Sequence, residues 1–318
     1  MYNGLTFLRG IAAFFIVGCH LQLAPRTLIG EQITHFCNMN VGLFGAISGF
    51  LLANTIYKNP DFMFCQYAKR RIGRLFPIYS VWSLFYIGAS FLFAILLKGG
   101  IPVDKYLSVS FWYSVVFWGG ASCHLWFIAS LLYIQLAVAF IWGIRRTFMN
   151  NITVFLVAVL LVYLSSFSRN FYLLYPCRLF GFVLLGMFVY GVAQKREVAL
   201  GVAVFLTIVG LLIHCMCGHF LHAFLRDFIL VGAAMLLFAR STMPLIGGKV
   251  AEVMAKHSLG VFLIHPFFAA GIAVVFNRLF SAPYAGGVVL GEWLLIYAIS
   301  FATTVVLMRF SGLLRFLQ

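Results

Sequence analysis

Residues 5–24 read LTFLRGIAAFFIVGCHLQLA. The stretch has the length of a bilayer-spanning helix, which needs roughly 20 apolar residues, and its only strongly polar groups of note are Arg9 and His20. Apolar runs of the same kind follow over 36–57, 75–98, 122–143, 151–167, 175–194, 198–216, 222–239, 257–277 and 287–308. Together they predict an all-α, polytopic membrane helical bundle of about ten transmembrane helices. Lipid offers no partner to a backbone N–H or C=O, so only helices and closed barrels cross it. A barrel is excluded because its strands alternate apolar and polar residues, whereas these runs are continuously apolar.

Composition points the same way. Of 318 residues, 64% are hydrophobic and 9% are charged, more apolar surface than a water-soluble domain hides within itself. No repeat, low-complexity tract or interdomain linker interrupts the chain, so residues 1–318 read as a single transmembrane domain. The longest hydrophilic stretches fall at about 57–74 and 98–121. The first apolar run is as long as a span and is followed by no small-residue cleavage site, which predicts that it stays attached.

A net charge of +15 raises nucleic acid as a partner, but the cations alternate between loops instead of forming a stripe. One set of loops with the C-terminus holds fourteen: Lys58, Lys69, Arg70, Arg71, Arg74, Arg145, Arg146, Lys195, Arg196, Arg240, Lys249, Lys256, Arg309 and Arg315. The other set holds six: Arg26, Lys98, Lys105, Arg169, Arg178 and Arg278. The positive-inside rule then places both termini in the cytoplasm, in agreement with an even number of spans, and makes the lipid bilayer the partner of most of the surface. The seven cysteines are odd in number and lie mainly in apolar stretches, which argues against a disulfide framework.

Four segments carry residues suited to chemistry. In the first, Arg9 and His20 are eleven residues apart, nearly three helical turns and so on almost the same face, with roughly 16 Å between them along the axis. Ionisable groups are costly in lipid and normally face a polar cavity; a snorkelling Arg9 and a hydrogen-bonded structural His20 are the plain alternative. In the second, QYAKRRIGRLFPIY at 66–79 crowds Lys69, Arg70, Arg71 and Arg74 together, a group able to hold phosphates or to anchor on anionic lipid heads.

The third segment, CHLWFIASLLYIQL at 123–136, sets His124 and Trp126 at the outer surface, where an aromatic beside a polar group suits a sugar. An interfacial aromatic belt explains Trp126 as well. The fourth, AKHSLGVFLIHPFF at 255–268, places His265 inside a span just before Pro266, a residue that frees a backbone carbonyl for a nearby donor. HCMCGHFLH at 214–222 offers metal-ligand types, but its spacing fits no standard zinc template, so no metal is expected.

These segments resemble the acyltransferase-3 family of membrane O-acyltransferases over nearly the whole chain. Arg9 and His20 are similar to the family's arginine, ten residues, histidine pattern within an LRGIAA opening. GLFGAISGFLL at 42–52 is similar to its SGFL helix, and Arg71, Arg74, Pro77 and Tyr79 to its RxxR and RxxPxY pattern. LFGFVLLGMFVY at 179–190 and HSLGVFLIHP at 257–266 resemble later family segments.

The resemblance implies an O-acyltransferase with His20 and Arg9 catalytic. Lys69, Arg70, Arg71 and Arg74 would hold the donor, acetyl-CoA, while His124, Trp126 and His265 would contact the acceptor, an envelope polysaccharide or lipid-linked sugar. It also implies a multi-pass location in the bacterial inner membrane. Many members carry a glutamate after the tryptophan of the HLWF segment; this chain does not, which leaves Asp227 or Glu292 as carboxylate partners for His20. Transfer directly to the acceptor and transfer through an acyl-histidine both fit. The competing class is a transporter or translocase of a lipid-linked sugar or small anion, since intramembrane Arg and His also line substrate paths.

Overall fold

The computed structural model describes residues 3–21, 28–98, 103–122, 124–144, 151–165, 167, 171–193, 201–209, 220–239, 248–280 and 286–309. Among them the chain is helical almost throughout, with no strand. The helices are α1 (Asn3–Gly18), α2 (Leu28–Tyr57), α3 (Phe64–Lys98), α4 (Val103–Leu107), α5 (Val109–Trp118), α6 (Trp126–Ile144), α7 (Asn151–Ser165) and α8 (Phe171–Ala193). They continue with α9 (201–209), α10 (Phe220–Ala239), α11 (Gly248–Leu279) and α12 (Gly286–Leu307).

Among the described residues six helices are long and apolar enough to cross a membrane: the Phe36–Tyr57 part of α2, Phe64–Leu96 of α3, α6, Leu174–Ala193 of α8, Gly248–Phe276 of α11 and Gly287–Leu307 of α12. The chain is therefore an integral membrane protein. The other four expected spans each coincide with helix: α1 and α7 are apolar but shorter, α9 covers part of 198–216, and α10 carries Arg226 and Asp227. The reading of ten crossings and of two cytoplasmic termini rests on the sequence.

The chain divides into two compact units, one formed by 1–60 with 147–318 and the other by 61–146. In the first unit α2 packs along α8, α7 and α10 also lie on α8, and α1 packs on α2 and α11, with α12 on α11. The α2–α8 contact is a backbone approach. A Cβ at Gly49 would sit 1.8 Å from the Val183 carbonyl oxygen, and one at Gly186 would sit 1.8 Å from that of Ala46. Small residues allow this where no hydrophobic force drives helices together in lipid and close van der Waals contact must supply the attraction.

In the second unit α6 lies against α3 and α5 against α6. The stretch 98–121, expected to be a hydrophilic loop, contains α5, an apolar ten-residue helix. Ser108 caps it by accepting from the Phe111 N–H at 3.2 Å, and Gly119 ends it in the left-handed conformation at φ 71°, so that the Gly120 N–H reaches the Ser114 carbonyl at 2.9 Å. The Tyr79 hydroxyl of α3 donates to the Val115 carbonyl and fixes α5 in place.

Polarity runs inward in both units. Leu84, Leu96, Ile152 and Leu156 are exposed, whereas Gln135, His265, Glu292 and Ser300 are buried. A soluble protein rarely exposes so many large apolar side chains, while a lipid-facing one does so by necessity and keeps its polar residues for the interior.

Candidate active site

The α-helix carrying Arg9 stops at Gly18, short of the expected residue 24. The Cys19 and His20 N–H groups bond to the Ile16 and Val17 carbonyls, each at 3.2 Å, the tighter three-residue pattern common at helix ends. His20 therefore sits two residues beyond the helix, in this tighter turn. Crowding accounts for the glycine at the end: a Cβ on Gly18 would lie 2.5 Å from the Cys37 sulfur and 3.0 Å from the Trp293 ring. The Trp293 indole N–H donates to the Phe14 carbonyl at 3.0 Å, tying α12 to the last turn of α1.

This arrangement aims His20 into protein. Its ring meets that of His265, with centroids 5.0 Å apart and planes 53° to each other. Val17, Leu21, Cys37, Val261, Ala269, Val289, Trp293 and Ile296, from α1 and the turn after it, α2, α11 and α12, form one apolar cluster. His265 is fully buried, and its Nδ1 lies 3.0 Å from the Val261 carbonyl. A carbonyl only accepts, so that nitrogen carries the proton. Pro266 has no N–H to donate to the Phe262 carbonyl, and the ring bonds one residue earlier.

Arg9 is half-buried on α1, next to Gly10, whose Cα faces Ala251, Met254 and Ala255 of α11. Of the two carboxylates left as partners for His20, Asp227 is already engaged. Its Oδ2 accepts from Arg178 at 2.8 Å and its Oδ1 from Arg226 at 2.9 Å. Glu292 is buried on α12 beside Trp293, and its Oε2 has no hydrogen-bond partner among the described residues.

In the second unit the basic segment of α3 divides. Lys69, Arg70 and Arg74 are exposed, whereas Arg71 turns to the half-buried face and its Nε donates to the Gln135 side-chain oxygen on α6. Gln135 is a residue the sequence reading passed over; nothing in a lone glutamine on an apolar helix signals its role. His124 is buried within this unit, with Nδ1 3.1 Å from the Ser122 hydroxyl and its ring edge-on to Tyr86 at 4.9 Å. Trp126, half-buried, opens α6. Among the described residues no three His, Cys, Asp or Glu side chains gather as metal ligands; residues 214–219 of the cysteine–histidine segment lie outside them, as does the side chain of His222.

The family model of the acyltransferase-3 acyltransferase domain matches residues 2–309. The chain belongs to the acyltransferase-3 family. No curated protein and no solved structure matches it. Family membership and the apolar helices make this a membrane acyltransferase-family protein, and the candidate residues of this acyltransferase fall into two local groups. His20, His265 and Arg9 belong to the first unit, and Arg71 with Gln135 to the second.

The Arg178–Asp227–Arg226 cluster of the acyltransferase supports folding. Asp227→Asn is expected to destabilise the protein by about 3–5 kcal/mol, the usual cost of leaving a buried charge unpaired. Thermal unfolding in detergent measures it; an unchanged midpoint would show that the two guanidinium groups do not need the carboxylate.

Proposed function

We propose that this acyltransferase moves an acyl group, acetyl from cytoplasmic acetyl-CoA, onto a hydroxyl of an envelope polysaccharide or lipid-linked sugar in the bacterial inner membrane. The observation that carries the reading is the placement of His20. The histidine of the family's opening motif meets the buried imidazole of His265. A neutral imidazole carries one nitrogen able to accept a proton, which suits a general base.

In this reading His20 takes the proton of the acceptor hydroxyl as its oxygen attacks the thioester carbonyl. The new C–O bond forms, the C–S bond breaks, and the proton passes from His20 to the departing thiolate to give free coenzyme A. An acyl-histidine would divide the same exchange into two steps. Arg71 and Arg74, with Lys69 and Arg70, hold the donor's phosphates, and Arg9 steadies the donor. His124, Trp126 and His265 bind the acceptor.

The direct test supplies radiolabelled acetyl-CoA and candidate glycan acceptors to the purified protein in lipid nanodiscs. Label appearing in the glycan as an ester supports transfer, whereas acceptor crossing the bilayer without any label would favour a carrier. Arg71→Ala is expected to raise the KM for acetyl-CoA about tenfold or more, as fits the loss of a charge-assisted hydrogen bond worth about 1.5–3 kcal/mol, with kcat changed far less.

A further inference from the structure

Gln135 holds a place that packing alone does not explain. It is fully buried in the middle of α6, among apolar neighbours such as Leu131, Leu132, Val138 and Ala139. The only described side chain it bonds is Arg71, through the arginine Nε. Arginine has donors and no acceptor, so the amide atom facing it must be the oxygen. The other end of the amide is then fixed as the nitrogen, a two-hydrogen donor, and that nitrogen has no hydrogen-bond partner among the described residues. A buried donor without an acceptor is rare in folded proteins and calls for an explanation.

The identity of the side chain narrows what that acceptor is. A carboxylate at this position would hold Arg71 more strongly but cancel its charge; the neutral amide orients the guanidinium and leaves its full positive charge available. Charge and orphan donor together define a site for an anionic oxygen. Tyr67, one turn before Arg71 on α3, is close enough to interact electrostatically with the same guanidinium.

We infer that Gln135 is a ligand-binding residue, its side-chain nitrogen donating to a phosphate oxygen of the anionic ligand that Arg71 holds. The assignment rests on the reading of Arg71 as a contact for the acyl donor. Within that reading Gln135 has two tasks: its oxygen fixes the orientation of Arg71, and its nitrogen completes the phosphate's coordination. The same chemistry would suit a lipid headgroup phosphate, so the test separates the two sources.

Coenzyme A binding is measured by calorimetry on the full chain in nanodiscs, with and without phosphatidylglycerol, for the wild type, Arg71→Ala, Gln135→Glu and Gln135→Leu. Gln135→Glu is isosteric and keeps an oxygen for Arg71, so it removes the donor and the free charge without opening a cavity. It is expected to weaken coenzyme A binding at least tenfold in both lipid mixtures, even if Gln135→Leu fails to fold. Phosphate-free pantetheine should bind the Glu variant and the wild type equally. Near-wild-type coenzyme A affinity in Gln135→Glu, with Arg71→Ala weakened, overturns the assignment for Gln135 and leaves the donor reading standing. Full affinity in Arg71→Ala overturns both. A change confined to phosphatidylglycerol retention assigns the pair to lipid and also overturns it.

Discussion

Replacing His20 with alanine is expected to leave the protein in the membrane at its normal level and to lower acyl transfer by about 10²–10⁴-fold, the range contributed by a positioned general base. The geometry argues for so clean a separation. His20 lies beyond the end of α1, after Gly18, and the packing that secures this end belongs to other groups: the Trp293 indole on the Phe14 carbonyl and the cluster of Val17, Leu21, Cys37 and Ile296. Removing the imidazole therefore subtracts a half-buried ring and leaves those anchors in place. Turnover of labelled acetyl-CoA by equal amounts of purified protein provides the measurement, with thermal unfolding as the control. Activity within a few-fold of wild type would remove His20 from the mechanism. His265→Phe keeps the ring contact but removes the nitrogens, and comparison with it shows whether the second imidazole contributes to the same step.

The second large effect concerns the α2–α8 contact. Gly186→Leu is expected to abolish accumulation of folded protein, because even the first carbon of the new side chain would lie 1.8 Å from the Ala46 carbonyl oxygen and 2.8 Å from the Phe50 nitrogen. Those neighbours are backbone and cannot rotate away, so the helices must part. Overpacking of a flexible core costs about 1–3 kcal/mol, and separating two backbones lies at or above the top of that range. Gly201→Leu is the matched control: nothing lies within 4 Å of its Cβ position, so normal expression is expected. Fluorescence-detected size exclusion of tagged variants distinguishes the two, and a monodisperse Gly186→Leu peak at wild-type height would refute the close approach.

Much of this architecture could be read from the chain. Continuous apolar runs, with no alternation, gave the helices, and six of the expected spans lie in described helices long and apolar enough to cross a membrane, because hydrophobic length is a property of local sequence. What stayed hidden depends on partners distant in the chain. The end of α1 at Gly18 is set by Cys37 and Trp293, which no local pattern reveals. The helix α5 was hidden within a stretch read as polar, although Ser108 and Gly119 are the residues that cap it.

The candidate site divides in the same way. The motif residues Arg9, His20, Arg71 and Arg74 stand out by residue type and spacing, and their resemblance to the family agrees with the family match over 2–309. The meeting of His20 with His265 and the bond from Arg71 to Gln135 are contacts between helices far apart in sequence. A glutamine among leucines carries no charge to announce it, and Asp227, available on paper as a partner for His20, is committed to two arginines.

The glycine-lined contact between α2 and α8 also sets a schedule for biosynthesis. Tyr57 leaves the ribosome well before Phe171, and at synthesis rates of about 5–20 residues per second the interval is on the order of ten seconds. Throughout it, α2 must wait in the bilayer with the glycine face that meets α8 uncovered, while residues 61–146, contiguous in the chain, are completed before α8 arrives. Chaperones or insertases that shield polar or poorly packed helices in lipid therefore have a defined window and a defined client, and slowing translation between these two helices would lengthen the exposure.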